Sequence, residues 1–296
     1  MRGIYRLSQI YMHVRKRFLC ARAYYRVARF PIIVTKRKHG LPAPLVVTLT
    51  SYPARFATLG KTLRSLLDQE MQADRVELWI AESDLGKLSD DICNLGHHGL
   101  SIRSCRDIGP YKKLIPALKR EPDNFYVTAD DDVYYPPEWL GNLVGAAQRH
   151  AGDIIAARAH VAFTRPSGAL APYADWELAT DCETVVGERA FLFPTGVGGV
   201  LYPPGCLDPQ VFDDVAFTEL CPFGDDIWFF WMARMAGARH RRIPEWFDMV
   251  EWPRTQEVAL SNENLFSDGN DLQIAAMERR FGPIAEVTGK TTAVSA

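Results

Sequence analysis

The 296-residue chain lacks the features that define several protein classes. It has no apolar run of the roughly 20 residues that a bilayer-spanning helix needs, and arginines interrupt its N-terminus too often for a secretory signal peptide. Its six cysteines form no CxxC pair and no zinc-finger spacing with histidine, which favours reduced thiols in a cytosolic protein. A formal net charge of −2 argues against nucleic acid as a partner.

Acidic residues are also missing from the first 67 positions, although basic residues are frequent there. Apolar residues in this stretch recur at three- and four-residue steps, which predicts an amphipathic helix within a basic arm, residues 1–40. Two interpretations stay open: residues 1–38 bind an anionic membrane surface, or the helix docks on its own catalytic domain or on a partner protein. The apolar positions are Ile4, Leu7, Tyr11, Val14, Phe18, Tyr25 and Ala28.

From residue 41 to residue 285 the pattern is that of one α/β domain, followed by a loose tail, 286–296. Short apolar runs alternate with helical periodicity, which predicts a mixed, mainly parallel sheet flanked by helices. The predicted strands are 45–52, 75–82, 100–106, 124–132, 153–164, 238–246 and a strand–turn–strand over 191–205. The predicted helices are 57–69, 111–119, 137–150, 225–237 and 271–282.

Three adjacent carboxylates, Asp130, Asp131 and Asp132, end the apolar strand 124–132. Open α/β sheets bind ligands at this carboxyl edge. Adjacent carboxylates repel one another unless a cation is near, and Mg²⁺ or Mn²⁺ prefers oxygen ligands. The alternative is an acidic loop or a helix cap before Pro136.

Other candidates are less distinctive. Gly196, Gly198 and Gly199 predict either a tight turn or a close approach of backbone to ligand. Asp225 and Asp226 open a helix, where they either stabilise its N-terminus or act as a general base. Arg55 follows the first strand, and Tyr111, Lys112 and Lys113 begin a short helix, so these residues could bind a diphosphate. His160 and His240 could bind a metal, although a lone histidine is more often structural.

The order of these segments resembles the family 2-like GT-A glycosyltransferases of bacterial surface-polysaccharide biosynthesis. The resemblance covers about residues 44–275 and is carried by TLTSYPARF, YKKLIPALK, TADDD, GVGGVLYPPG and GDDIWF. It implies a GT-A fold, a Mn²⁺ or Mg²⁺ ion, and a nucleotide-sugar donor, with UDP the commonest nucleotide among relatives. It also implies a glycan or lipid-linked acceptor and a cytoplasmic enzyme, peripheral on the inner face of the membrane if the basic arm binds lipid.

The resemblance also implies roles for individual residues. The TADDD segment matches the DxD motif, so Asp132 would ligate the metal, Asp130 would contact the ribose or the metal, and Asp131 would lie in the donor site. Thr50, Tyr52 and Arg55 would hold the nucleotide, with Lys112 and Lys113 near its phosphates and Gly198 and Gly199 close to donor and acceptor. Asp225 and Asp226 replace the usual Glu-Asp pair, which leaves open which one is the base. The third metal ligand has no clean match, and His240 is the nearest option.

The predicted reaction is inverting transfer of a sugar. A sugar-nucleotide nucleotidyltransferase is one alternative, although the SYPARF loop lacks the glycines such enzymes carry there. A non-catalytic scaffold at a membrane synthase complex is a second alternative, and a metal-dependent phosphoesterase is a third.

Overall fold

The structure is a computed structural model that describes residues 2–185, 189–245, 248–253 and 269–287, with side chains from residue 14 onward. Within this part of the chain, seven strands form one twisted sheet in the order β12-β8-β11-β6-β2-β4-β5. In chain order they are β2 (Leu45–Thr50), β4 (Arg75–Ala81), β5 (Leu100–Cys105), β6 (Phe125–Ala129), β8 (Ile154–Ala156), β11 (Val200–Tyr202) and β12 (His240–Arg242).

Strands β2, β4, β5 and β6 are parallel, β11 is antiparallel to both β6 and β8, and β12 is parallel to β8. The predicted fold class, a mixed and mainly parallel α/β sheet with an N-terminal helix, is confirmed. Among the described residues, three two-stranded pairs lie outside the sheet: β1 (Arg37–Lys38) with β3 (Met71–Gln72), β7 (Val133–Tyr134) with β13 (Val250–Glu251), and β9 (Ala159–Phe163) with β10 (Ala190–Pro194).

Helices cover both faces of the sheet. They are α1 (Arg2–Ala28), α2 (Phe56–Leu67), α3 (Asp90–Cys93), α4 (Ile115–Arg120), α5 (Trp139–Arg149), α6 (Asp214–Leu220), α7 (Asp225–Met235) and α8 (Gly269–Phe281). Across the described residues, every helix is too short or too polar to cross a membrane.

The alternation of side chains along β2 divides the core in two. Leu45, Val47 and Leu49 pack with residues of α2 and α5, whereas Val46 belongs to the opposite cluster, which contains the aromatic residues of α7. Because successive side chains of a strand point to opposite faces, an uninterrupted apolar strand requires helices on both sides. Both faces of β2 are therefore covered.

The predicted segments are found within a few residues, with one exception. The segment 153–164 is two strands, because β8 pairs with β11 and β12 in the main sheet while β9 leaves the sheet to pair with β10. Helices α3 and α6 were not predicted. Most of the predicted tail, residues 288–296, lies outside the described residues.

Candidate functional site

The three carboxylates leave the carboxyl end of β6, as predicted, and two of them are buried against one guanidinium. Asp131 and Asp132 are 9% and 7% exposed, and Arg55 contacts both, with Nη1 at 3.4 Å from Asp131 Oδ1 and in direct contact with Asp132 Oδ2. Ser51 donates a hydrogen bond of 2.5 Å to Asp131. Arg55 reaches them because it ends the short 3₁₀ turn that follows β2, the strand next to β6.

Asp130 is the carboxylate of the three that faces a lysine. Burial raises the pKa of Asp130 to about 6, the neighbouring charges of Asp132 and Asp131 add to the rise, and Lys113 opposes it. Burial likewise raises the pKa of Asp131 to about 6, against the hydrogen bond from Ser51 and the charge of Arg55. The backbone N–H of Asp130 donates to the Tyr135 hydroxyl at 2.7 Å, which holds the turn after β6 in place.

A second pair of carboxylates opens α7. Asp225 is 7% exposed and its Oδ2 lies 2.7 Å from the ammonium of Lys113, itself 8% exposed. Burial alone would lower the pKa of Lys113, but the charges of Asp225, Asp226 and Asp130 outweigh it and raise that pKa. The lysine therefore stays charged and joins the two sets of carboxylates into one site.

Asp226 differs from its neighbour in exposure. It is partly exposed, and the backbone N–H of Gly196 donates to its Oδ2 at 2.9 Å. Burial, followed by the charge of Asp225, raises the pKa of Asp226 to about 7, although Lys113 and the Gly196 N–H oppose the rise. A carboxyl that titrates near neutrality at a partly exposed position has the properties of a general base.

The glycine turn between β10 and β11 lies beside Lys113 and Asp226. A Cβ on Gly196 would lie 2.8 Å from Lys113 Nζ and 2.9 Å from Asp226 Oδ1, so a side chain there would displace both. Gly198 and Gly199 have φ of +91° and +99°, and the Gly198 carbonyl accepts a hydrogen bond of 2.6 Å from the Trp139 indole. The turn thus needs glycine for its close approach and for its dihedrals.

The remaining predicted residues are placed around this centre. Thr50 ends β2 with its hydroxyl bound to the Trp79 carbonyl at 2.8 Å, and the Tyr52 hydroxyl accepts a 3.2 Å hydrogen bond from Arg55. Lys112 is buried but pairs with Asp107, whose side chain is 63% exposed. Both lysines lie on the 3₁₀ turn before α4, and their ammonium groups take different partners.

The histidines are not brought to the site. His240 lies in β12, an edge strand separated from β6 by β8 and β11, and its ring packs on Phe230. Burial and the charge of Arg234 lower the pKa of His240 to about 3. His160 is 2% exposed and its Nδ1 accepts the Ala179 N–H. The position of His240 speaks against the expectation that it is the third metal ligand, because two strands lie between β12 and the strand that carries Asp132.

A divalent cation fits the donor chemistry of the site. Five carboxylates surround two cations, Arg55 and Lys113. Within the described ranges no three His, Cys, Asp or Glu side chains form a ready ligand set, but Mg²⁺ typically binds through one or two carboxylates plus substrate phosphates. Asp130 and Asp132 are the side chains that would hold such an ion.

Sequence reasoning missed two supports of the acidic turn. Thr62 of α2 donates hydrogen bonds of 3.0 Å to the carbonyls of Asp131 and Val133. Trp252 in turn donates from Nε1 to the Thr62 hydroxyl at 2.8 Å and from its backbone N–H to the Asp132 carbonyl at 2.9 Å. No local pattern signals these contacts, because Trp252 is distant in sequence from both partners.

Comparison with known proteins gives a distant structural similarity alone. No family model and no curated protein matches the chain. The crystal structure of S. aureus TarS 1–349 shares 16% identity at a TM-score of 0.47, over 70% of this chain and 59% of that one. The same protein in complex with UDP-GlcNAc shares 15% at a TM-score of 0.47, over 80% and 72%, and S. aureus TarS shares 15% at 0.48, over 80% and 43%. In the first of these matches the chain spans less than two-thirds of the other chain, and similarity at this level carries no argument about activity.

Proposed function

We propose that the chain is a metal-dependent, inverting glycosyltransferase that moves a sugar from a nucleotide-sugar donor to a carbohydrate or lipid-linked glycan acceptor. The observation that supports this most directly is that the carboxylates around Lys113 fall into two sets with different surroundings. One set follows β6 and fits a cation with a diphosphate, while Asp226 provides a carboxyl with a pKa of about 7 beside an open glycine turn.

The donor end of the site is the edge formed by β2 and β6. Asp130 and Asp132 would hold a Mg²⁺ or Mn²⁺ ion, which when bound supplies positive charge to neutralise the leaving diphosphate. Thr50, Tyr52 and Arg55 lie where β2 ends and line the region proposed for the nucleotide. A uridine nucleotide is the first candidate, because UDP is the commonest nucleotide in the family that the sequence resembles.

The acceptor end is the N-terminus of α7. We assign Asp226 as the base, since Asp225 is buried and holds the Lys113 ammonium at 2.7 Å, whereas Asp226 is partly exposed. The acceptor hydroxyl gives its proton to the Asp226 carboxylate while its oxygen forms a bond to the anomeric carbon. The bond from that carbon to the diphosphate oxygen breaks on the opposite face, so the configuration inverts.

The loop after β2 speaks against the nucleotidyltransferase alternative. Ser51 and Arg55 are engaged with Asp131 and Asp132, and the segment between them has no glycine with which to wrap a triphosphate. We place the reaction on the cytoplasmic side of the membrane, with residues 41–285 as the catalytic unit and residues 1–40 as its arm.

A thermal-shift screen of UDP, GDP, CDP and CMP, each with and without Mn²⁺, tests the donor site. A ligand that binds only the native state must stabilise it by mass action. We expect one nucleoside diphosphate to raise the Tm in the presence of Mn²⁺, and the shift to disappear in Asp132→Ala. Asp123→Ala, an exposed aspartate just before β6, is the matched control and should keep the shift. No shift with any nucleotide in folded protein would favour the scaffold alternative.

A further inference from the structure

Helix α1 has one face that packs against the catalytic domain. Ala23 and Val27 are 0% and 6% exposed, and they form a small apolar cluster with Tyr134, Val250 and Trp252. Two ion pairs also join the helix to the domain, Arg26 with Asp68 at 3.3 Å and Arg15 with Asp248 at 2.5 Å. This face of the helix therefore agrees with one of the two interpretations of the arm, docking on the catalytic domain.

The opposite face of α1 carries large apolar side chains that the protein leaves in solvent. Val14, Phe18 and Tyr25 are 59%, 67% and 56% exposed. At about 100° per residue, these three lie within roughly 40° of a single line along the helix, on the side opposite to Ala23 and Val27. Isolated apolar residues on a surface are ordinary, but an aligned row marks an interaction site.

We call this row, Val14, Phe18 and Tyr25, the outer stripe. In the sequence its repeat continues toward the N-terminus at Ile4, Leu7 and Tyr11. The docked face is formed by Ala23 and Val27 with the partly buried Leu19, and it leaves the outer stripe uncovered.

The charged side chains of α1 itself all have the same sign. Arg22 and Arg29 follow the stripe at helical spacing, and the Arg29 guanidinium lies 4.5 Å from the centre of the Tyr25 ring. No Asp or Glu occurs before Asp68 in the sequence. Aromatic side chains flanked by arginine match an interface in which rings enter the acyl boundary and guanidinium groups meet phosphates.

We propose that the outer stripe of α1 is a docking surface for an anionic lipid bilayer. An acidic protein would satisfy the arginines but would have to offer an apolar groove of matching length, whereas a bilayer offers apolar depth and negative charge along the whole helix. The proposal concerns location and does not depend on the reaction at the carboxylates.

Docking in this way sets the orientation of the candidate site. Trp252 packs on Tyr24 of α1 with ring centroids 5.2 Å apart, and its backbone N–H binds the Asp132 carbonyl. The acidic edge of the sheet is thus one side chain away from the helix, so a bilayer on the outer stripe lies on the same side of the molecule as the edge at Asp132.

Flotation of the full chain with vesicles tests the proposal. We expect binding to vesicles of phosphatidylcholine mixed with phosphatidylglycerol, weak binding to phosphatidylcholine alone, and loss of binding as salt is raised. The double variant Phe18→Glu with Tyr25→Glu should lower the bound fraction about tenfold or more. Leu272→Glu, at the same 67% exposure as Phe18 but on α8, is the matched control and should bind as the wild type does.

Two outcomes would overturn the proposal. One is wild-type protein that does not float with the anionic vesicles, including the case in which it instead captures a partner protein through the same helix. The other is a double variant that floats as well as Leu272→Glu does. Since Phe18 and Tyr25 are exposed, the double variant should unfold at the wild-type Tm, so a loss of binding with unchanged Tm is not a folding defect.

Discussion

Replacing Lys113 by methionine probes the electrostatic design of the site. The side chains have similar length, so the change removes the ammonium while most of the packing stays. In the wild type, Lys113 Nζ lies 2.7 Å from Asp225 Oδ2, and the charges of Asp226 and Asp130 also act on the ammonium. The substitution leaves these carboxylates without their shared counterion.

The size of the effect follows from burial. Lys113 and Asp225 are 8% and 7% exposed, so water cannot replace the lost ammonium. Breaking a buried pair by removing one partner typically costs about 3–5 kcal/mol of unfolding free energy, and three carboxylates around one lysine place this variant in the upper half of that range. Lys112→Met is the matched control, because its partner Asp107 is 63% exposed, so the carboxylate that is left behind stays hydrated and the loss should be smaller.

Urea denaturation at two pH values separates this explanation from a packing defect. Asp226 and Asp130 have pKa values of about 7 and about 6, above their unfolded values, so the native state binds more protons and these two groups favour folding as pH falls. In Lys113→Met their pKa values rise further. The loss should be about 4 kcal/mol near pH 8 and roughly half of that near pH 5, where the carboxyls are protonated. Equal losses at both pH values, or a loss no larger than that of Lys112→Met, would refute the reasoning.

Three further predictions concern the base, the turn and the guanidinium. Asp226→Asn should abolish transfer, and wild-type kcat should rise with pH through about 7, because the base acts only when deprotonated; a flat profile across this range would remove the assignment. Gly199→Ala should lower the unfolding free energy by about 3 kcal/mol or more, since its φ is +99° and the new Cβ would lie 2.6 Å from the Trp139 ring. Gly205→Ala, with φ of +72° and no atom within 4 Å, measures the dihedral strain alone and should cost less. Arg55→Gln should tighten Mn²⁺ binding in the absence of nucleotide, measured by calorimetry, because the guanidinium competes for the carboxylates; weaker binding would contradict this.

The sheet could be predicted from the sequence because its signals are local. The strand before Asp130 is a run of apolar residues that ends in charge, and that run alone places the carboxylates at the carboxyl edge. The division of 153–164 into β8 and β9 had no such signal, since both strands are largely apolar and they pair with different partners. The pairing of strands depends on segments that are distant in sequence, so the hydrophobic periodicity of a strand does not reveal its partners.

The candidate site was predicted only in part, because several of its contacts join residues that are far apart in the sequence. Lys113 was expected to meet a diphosphate, but the structure gives it a carboxylate partner 112 positions later in the chain, a pairing that no local spacing reveals. In α1 the periodicity identified the outer stripe, while the docked face rests on Ala23 and Val27. The predicted apolar row contained none of Leu19, Ala23 and Val27, so the face that packs on the domain was not predicted from the periodicity.

The electrostatics of the site argue against a scaffold that merely keeps the fold. Burial holds the pKa values of Asp130, Asp131 and Asp226 two units or more above that of a hydrated aspartate, and a raised acid pKa lowers stability at neutral pH. A complete buried ion pair can often be replaced by apolar residues of similar volume without loss, and sometimes with gain, of stability. A purely structural role therefore gives no reason to place five carboxylates around two cations. Perturbed carboxyls gathered beside a glycine turn are instead what a site for a cation, a phosphate and a proton requires.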